Sequence, residues 1–269
     1  MTDCLAGVEL YGLASRRVIS GIVDRRRVER IRSDVEGLDE VLRGGFIPGS
    51  CVVISGGPGS GKSTLCSQFL FNGYKNHGEG GIYVTCTESP EEVKNNFRDH
   101  GWDVDSAIKN GKMKVIDMRP VVATESGLIT RNEAVFQGEK MPFSVVAKAT
   151  LDEIKRAHAK RVVIDSLTTV EMQYKDQFEV RQGLLGLIQG LSSEDCVSLL
   201  IVESIGPHRG IPVEWALSHG AIQLNYSNEN SEVVRSIQVV KMRRTAHDQT
   251  VYGMEITNEG IVVHTDVRV

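Results

Sequence analysis

The 269-residue chain lacks most of the features that mark specialised protein classes. None of its five cysteines stands in a CxxC pair or near a histidine at zinc-binding spacing, so the sequence gives no sign of a structural metal or a redox pair. Cys51, Cys86 and Cys196 lie in or beside apolar, strand-like runs, where a cysteine behaves as a small hydrophobe, and reduced thiols are expected. No apolar stretch approaches the ~18 residues that span a bilayer, and the N-terminus has no signal-peptide core. A cytoplasmic address without membrane attachment is the expectation. Internal repeats, low-complexity tracts and a second copy of any nucleotide motif are missing as well. Net charge is only −4, so no global attraction to nucleic acid or to an acidic membrane surface is indicated.

What remains is an ordinary globular composition, 41% hydrophobic and 25% charged, enough for one large α/β domain or two small ones. Charge is unevenly spread. Residues 1–32 carry Arg16, Arg17, Arg25, Arg26, Arg27, Arg30 and Arg32 against Asp3, Glu9, Asp24 and Glu29. This basic arm shows no periodicity. It reads either as a loosely structured extension or as residues added by an upstream start codon. The remaining 33–269 reads as one domain.

From Ser33 the pattern becomes regular. Ser33-Asp34 before Val35–Leu42 reads as a capped short helix, ended by Gly44-Gly45, with a turn at Pro48-Gly49. Strands are expected at 51–55, 81–87, 112–117, 161–165 and 197–202. Helices are expected at 62–76, 90–100, 144–159 and 178–191. This alternation predicts a parallel sheet covered on both faces, with 119–143 as a polar surface excursion. Beyond it, 221–225, 233–243, 251–257 and 261–264 are strand-like with no helix between them, and Asn258-Glu259-Gly260 signals a hairpin. The expected fold is therefore α/β, a parallel central sheet flanked by helices and extended by antiparallel C-terminal strands.

The strongest chemical signal is Gly56-Gly57-Pro58-Gly59-Ser60-Gly61-Lys62-Ser63, followed by Thr64, which fits G-x-x-x-x-G-K-[ST] at every fixed place. Glycines let main-chain N–H groups turn inward on a phosphate. Lys62 supplies a positive charge for the β- and γ-phosphates, Ser63 a hydroxyl for Mg²⁺, and the helix that starts there points its positive end at the anion. A random chain of this length would match on the order of once in a hundred, and a strand before with a helix after lowers that further. Arg161-Val162-Val163-Ile164-Asp165-Ser166 is an apolar strand ending in an acid, and Asp165 is the expected second Mg²⁺-holding group. ATP and Mg²⁺ are the ligands this pairing implies.

Several further segments, in order, carry a likeness to a known group. They are Glu36–Leu42 with Gly44-Gly45-Phe46, Phe69–Gly73, Tyr83-Val84-Thr85, Glu88-Ser89-Pro90, Gly101-Trp102-Asp103, Ile164–Thr168 and Lys241–His247. Together with the phosphate loop they resemble the KaiC-like branch of the RecA/RadA ATPases over about residues 33–264. The resemblance implies a RecA-like fold and a homo-oligomeric ring, usually of six, with ATP between neighbouring subunits. It also implies that Lys241 and Arg243 reach the neighbour's nucleotide, that His247 lies near it, and that a protein partner of unknown identity reads the cycle. Family members usually have two adjacent glutamates after the second strand, one of which activates the attacking water. Here the pair is Thr87-Glu88. Glu88 is then either the remaining general base or an N-terminal helix charge beside Glu91 and Glu92, and hydrolysis is expected to be slow. The alternatives are a DNA-recombination ATPase paralogue and a non-hydrolysing, nucleotide-bound scaffold. The loop Ile205–Pro212 sits where recombinases face DNA, but it has no aromatic residue to stack a base, so nucleic acid is not the expected partner.

Overall fold

The computed structural model describes residues 29–119, 123–124, 127–128, 141–204, 211–229 and 232–269. The basic arm up to residue 28, most of the 119–143 excursion and the centre of the 205–212 loop fall outside the described residues.

A nine-stranded sheet organises the chain. Its strands are β1 (Cys51–Gly56), β2 (Gly80–Thr85), β3 (Met113–Asp117), β6 (Ala159–Asp165), β7 (Val197–Glu203), β8 (Gly220–Glu229), β9 (Glu232–Met242), β10 (Val251–Thr257) and β11 (Gly260–Arg268). The two-residue strands β4 (Ala123–Thr124) and β5 (Gly127–Leu128) pair separately. The order across the main sheet is β11-β10-β9-β8-β1-β7-β6-β2-β3. From β3 to β8 every neighbour pairs in parallel, and from β8 to β11 every neighbour pairs antiparallel. The switch follows from the sequence. Helices join the parallel strands, whereas tight turns such as Thr257-Asn258-Glu259-Gly260 join the last ones.

Eight helices complete the described chain: α1 (Leu38–Val41), α2 (Lys62–His77), α3 (Pro90–Asp99), α4 (Val104–Lys109), α5 (Phe143–Ala157), α6 (Leu167–Glu171), α7 (Gln177–Ser192) and α8 (Val213–Leu217). Strand alternation splits the core into two layers. Val52, Ile54 and Tyr83 point into the layer with α2 and α3, while Cys51, Val53, Ile82 and Val84 point into the layer with α5 and α7. Burial on both faces explains why β1, β2 and β6 read as unbroken apolar runs. The four described cysteines are buried and free, and burial lifts the Cys51 and Cys86 thiols to about 12.

Several boundaries differ from the sequence reading for local reasons. Ser33 does not cap a helix. Its amide and hydroxyl both donate to Asp39 Oδ1 at 2.8 Å, and the helix starts only at Leu38, after Gly37 at φ 76°. A side chain at Gly37 would lie 2.0 Å from the carbonyl oxygen of Val263. Strand β2 stops at Thr85, so Thr87 and Glu88 lie on the turn that leads into the capping box of Ser89 and Glu92. Helix α5 ends at Ala157, with His158 at φ 49° as its C-cap, and β6 begins two residues earlier than Arg161. Helices α4, α6 and α8, of five or six residues each, are too short to show a periodicity.

One buried charge ties the phosphate-loop helix to the Asp165 strand. Arg161 in β6 is 1% exposed. Its Nε pairs with Glu79 at 2.6 Å, its Nη1 donates to the Phe69 carbonyl at 2.8 Å, and its guanidinium lies 4.6 Å from the centre of the Phe69 ring. Gly73 makes room, since a Cβ there would sit 2.1 Å from Arg161 Nε.

Candidate nucleotide-binding site

The phosphate loop leaves the C-terminal end of β1 between β7 and β8, where parallel α/β sheets open a crevice for ligands. Two of its glycines answer to specific geometry. A Cβ on Gly56 would come within 2.5 Å of the Leu224 carbonyl and of Ser60 Oγ, and Gly61 holds φ 98° at the N-cap of α2. No side chain caps that helix, so its first N–H groups remain available to an anion. Lys62 is 8% exposed and donates to the Gly57 carbonyl at 2.9 Å. Burial lowers its pKa, against the pull of Glu203 and Asp165, as expected of a desolvated ammonium. Ser60 Oγ is buried without a partner, and Pro58 is exposed on the outside of the loop.

Asp165 reaches the same place from β6, one strand beyond β7. Ser63 Oγ donates to Asp165 Oδ2 at 2.8 Å, and Tyr83 Oη donates to the same oxygen at 2.6 Å. Tyr83 is fully buried, and burial followed by the Asp165 charge pushes its phenol well above the usual range, so it stays a donor and fixes the carboxylate. A hydroxyl and a carboxylate in contact at the mouth of a phosphate loop form the donor set of a hard cation such as Mg²⁺. The uncapped start of α2, a buried lysine and this pair together fit a magnesium-bound polyphosphate.

Gly59, Gly61, Lys62, Ser63 and Thr64 of the phosphate loop and α2 line a 370 Å³ cavity together with Glu88, Asn96, Asp99, His100 and Ile256. Register explains the approach of Glu88: Thr85 pairs with Asp165 across β2 and β6, so the turn after Thr85 overhangs the Asp165 end. Thr85 Oγ1 anchors that turn by donating to the Glu88 carbonyl at 2.6 Å. The Glu88 pKa is raised by burial and by Asp165, while Asn96, donating to Glu88 Oε2 at 2.8 Å, works the other way. Thr87 turns elsewhere, its hydroxyl 3.0 Å from that of Thr169. Sequence reasoning missed Asn96, Asp99, His100 and Ile256. Asn96 had a faint signal, a polar residue flanking the buried Val93 and Phe97 stripe of α3. Ile256 had none, because it arrives from the antiparallel extension.

Lys241, Arg243 and His247 are not brought to this cavity. Lys241 pairs with Ala221, which pairs with Val53, so it lies toward the start of β1, at least roughly 10 Å along the strands from the phosphate loop. Its Nζ donates to the carbonyls of Trp215, Ser218 and Ala216 at 2.6, 2.8 and 3.3 Å, and Arg243 Nη2 donates to Ala216 at 3.2 Å. The two cations thus cap the last turn of α8. Burial, then Arg243, lowers the Lys241 pKa. His247 Nδ1 lies 3.2 Å from the Thr245 carbonyl, and its Nε2 is buried without a partner.

Comparison with known proteins agrees with this architecture. Residues 31–268 match the family described as "ATPase: KaiC". A UPF0273 protein of Thermotoga maritima is 33% identical over 240 residues, covering 88% of this chain and 96% of the relative. The circadian clock oscillator protein KaiC of Picosynechococcus is 32% identical over 87% of this chain, which spans 44% of that longer protein. The crystal structure of a KaiC-like protein, PH0186 from Pyrococcus horikoshii, superposes with a TM-score of 0.74 at 29% identity, covering 88% of this chain and 99% of the other. No described helix is long and apolar enough to cross a membrane. The chain belongs to the KaiC-like ATPases of the RecA-type fold.

Proposed function

We propose that the chain binds ATP with Mg²⁺ at the Gly56–Thr64 loop and hydrolyses it slowly, as a subunit of a ring that acts on a protein partner. One observation carries the reading: Lys62, Ser63, Asp165 and Glu88 come from three separate elements to one end of the sheet, with Glu88 lining the same cavity as the phosphate loop. Gly59, Gly61 and Lys62 would hold the β- and γ-phosphates through main-chain N–H groups and the ammonium. Ser63 and Asp165 would hold the Mg²⁺, which supplies charge neutralisation at the phosphates when bound. Glu88 takes a proton from water as the water oxygen bonds to the γ-phosphorus and the bond to the ADP oxygen breaks.

Lys241 and Arg243 lie too far from this chain's own cavity to serve it, which supports action across a subunit boundary. Between neighbours their charges would meet the γ-phosphate, and leaving the α8 carbonyls is the structural change by which nucleotide could alter the ring. Beside the 205–212 loop lie the carboxylates of Glu203 and Glu214, acidic groups that disfavour nucleic acid there. Phosphate release measured with and without single-stranded DNA tests the reading. Basal turnover unaffected by DNA, and reduced on the order of a hundred-fold or more in Glu88→Gln, is expected. Stimulation by DNA would instead point to a recombination ATPase, and nucleotide binding with no turnover to a scaffold.

A further inference from the structure

The turn that carries Glu88 is held at three points, and only one of them acts on the carboxylate. Thr85 fixes the main chain through the Glu88 carbonyl, and the capping box of Ser89 and Glu92 fixes the start of α3. A glutamate just before a helix has three free side-chain torsions, and in a cavity open to water it would sample several rotamers. Asn96, two turns into α3, removes that freedom. Its amide donates to Glu88 Oε2 at 2.8 Å, and both residues line the nucleotide cavity. The helix supporting Asn96 is anchored in the core by Val93 and Phe97, which are 1% and 0% exposed.

We infer that Asn96 is the positioning residue for Glu88, its amide holding the carboxylate in one place at the nucleotide cavity. The inference rests on Glu88 being the base. It bears on the departure from the paired glutamates, because Thr87 faces Thr169 and brings no second carboxylate to the cavity. A neutral donor suits this task. The charges of Asp165 from β6 and Glu92 from α3 already act on Glu88, and Asp99 with the basic groups Lys62 and His100 line the same cavity. Another carboxylate at position 96 would raise the cost of ionising Glu88, whereas an amide N–H lowers it without adding charge. Burial and Asp165 push the Glu88 carboxyl up, and the Asn96 amide is the group that opposes them. Removing the amide therefore raises the pH at which Glu88 loses its proton.

The test is an infrared titration of the full-length protein, reading the protonated-carboxyl band that disappears in Glu88→Gln. In Asn96→Ala the midpoint of that band is expected to move to higher pH, in Asn96→Asp to move further, and in Asn96→Gln, which keeps the donor, to return toward wild type. Alanine favours helix, so α3 is retained in the first variant. The acidic limb of the turnover profile should move in the same direction. On that limb kcat should fall on the order of ten-fold, with the KM for ATP changed less than about two-fold, the split expected when a base is misplaced and binding is intact. An unmoved midpoint in Asn96→Ala, with Glu88→Gln inactive, overturns the role of Asn96 alone. Wild-type turnover in Glu88→Gln overturns it together with the assignment of the base.

Discussion

Glu171 at the end of α6 and Glu214 at the start of α8 line a 400 Å³ cavity together with Glu203. Burial, then the charge and hydrogen bond of Glu214, lift the Glu171 pKa from 4.5 to about 8. Because the folded value lies above the unfolded one, the stabilising contribution is complete below about pH 4.5 and is lost as pH rises through about 8. A displacement of about 3.5 units at about 1.4 kcal/mol each sets a ceiling near 5 kcal/mol on that loss. Glu171→Gln keeps a donor for Glu214 and cannot ionise. At pH 5 the variant should therefore unfold within about 1 kcal/mol of wild type, and at pH 8.5 it should be more stable by on the order of 3 kcal/mol. At about 2.1 cal/mol/K of unfolding entropy per residue, that is a Tm increase of roughly 5 °C for this 269-residue chain. Calorimetry of both proteins at the two pH values decides the matter. If Tm falls with pH by the same amount in the variant as in wild type, Glu171 is not the group whose ionisation weakens the fold.

The assignment of Lys241 and Arg243 to a neighbour's site predicts complementation. Lys62→Ala and the double variant Lys241→Ala/Arg243→Ala should each lose turnover, yet an equal mixture, unfolded and reassembled together, should regain about a quarter of wild-type activity. In a head-to-tail ring a quarter of the interfaces pair an intact loop with intact cations. No recovery, in a mixture shown by light scattering to co-assemble, would place both functions within one subunit.

Much of this was legible in the sequence because it depends on local chemistry. The phosphate loop demands glycines and a lysine at fixed spacing, and the two-faced burial of β1, β2 and β6 leaves continuous apolar runs. The antiparallel extension was equally plain, since no helix-length segment separates its strands. What could not be read depends on which side chains meet once the chain has folded. Glu88 meets Asn96, eight residues on, because the turn after β2 leads straight into α3, and Tyr83 meets Asp165 only because β2 pairs with β6 in one register. Ser33 looked like a helix cap, but the Asp39 carboxylate captures it and Gly37 takes the helix start. Lys241 and Arg243 were recognisable by resemblance, but not their hold on the last turn of α8, a helix of five residues that leaves no periodic trace.

The central claim is that a buried lysine and a row of loop amides grip the phosphates of ATP. Calorimetric titration of the wild-type protein with a non-hydrolysable ATP analogue and Mg²⁺, repeated with Lys62→Ala, tests it most directly. The account predicts saturable binding by the wild type and an affinity lower by on the order of a hundred-fold in the variant, the cost of removing a charge-assisted contact at about 3 kcal/mol. Equal affinity in the two proteins, or no binding by either, would contradict it.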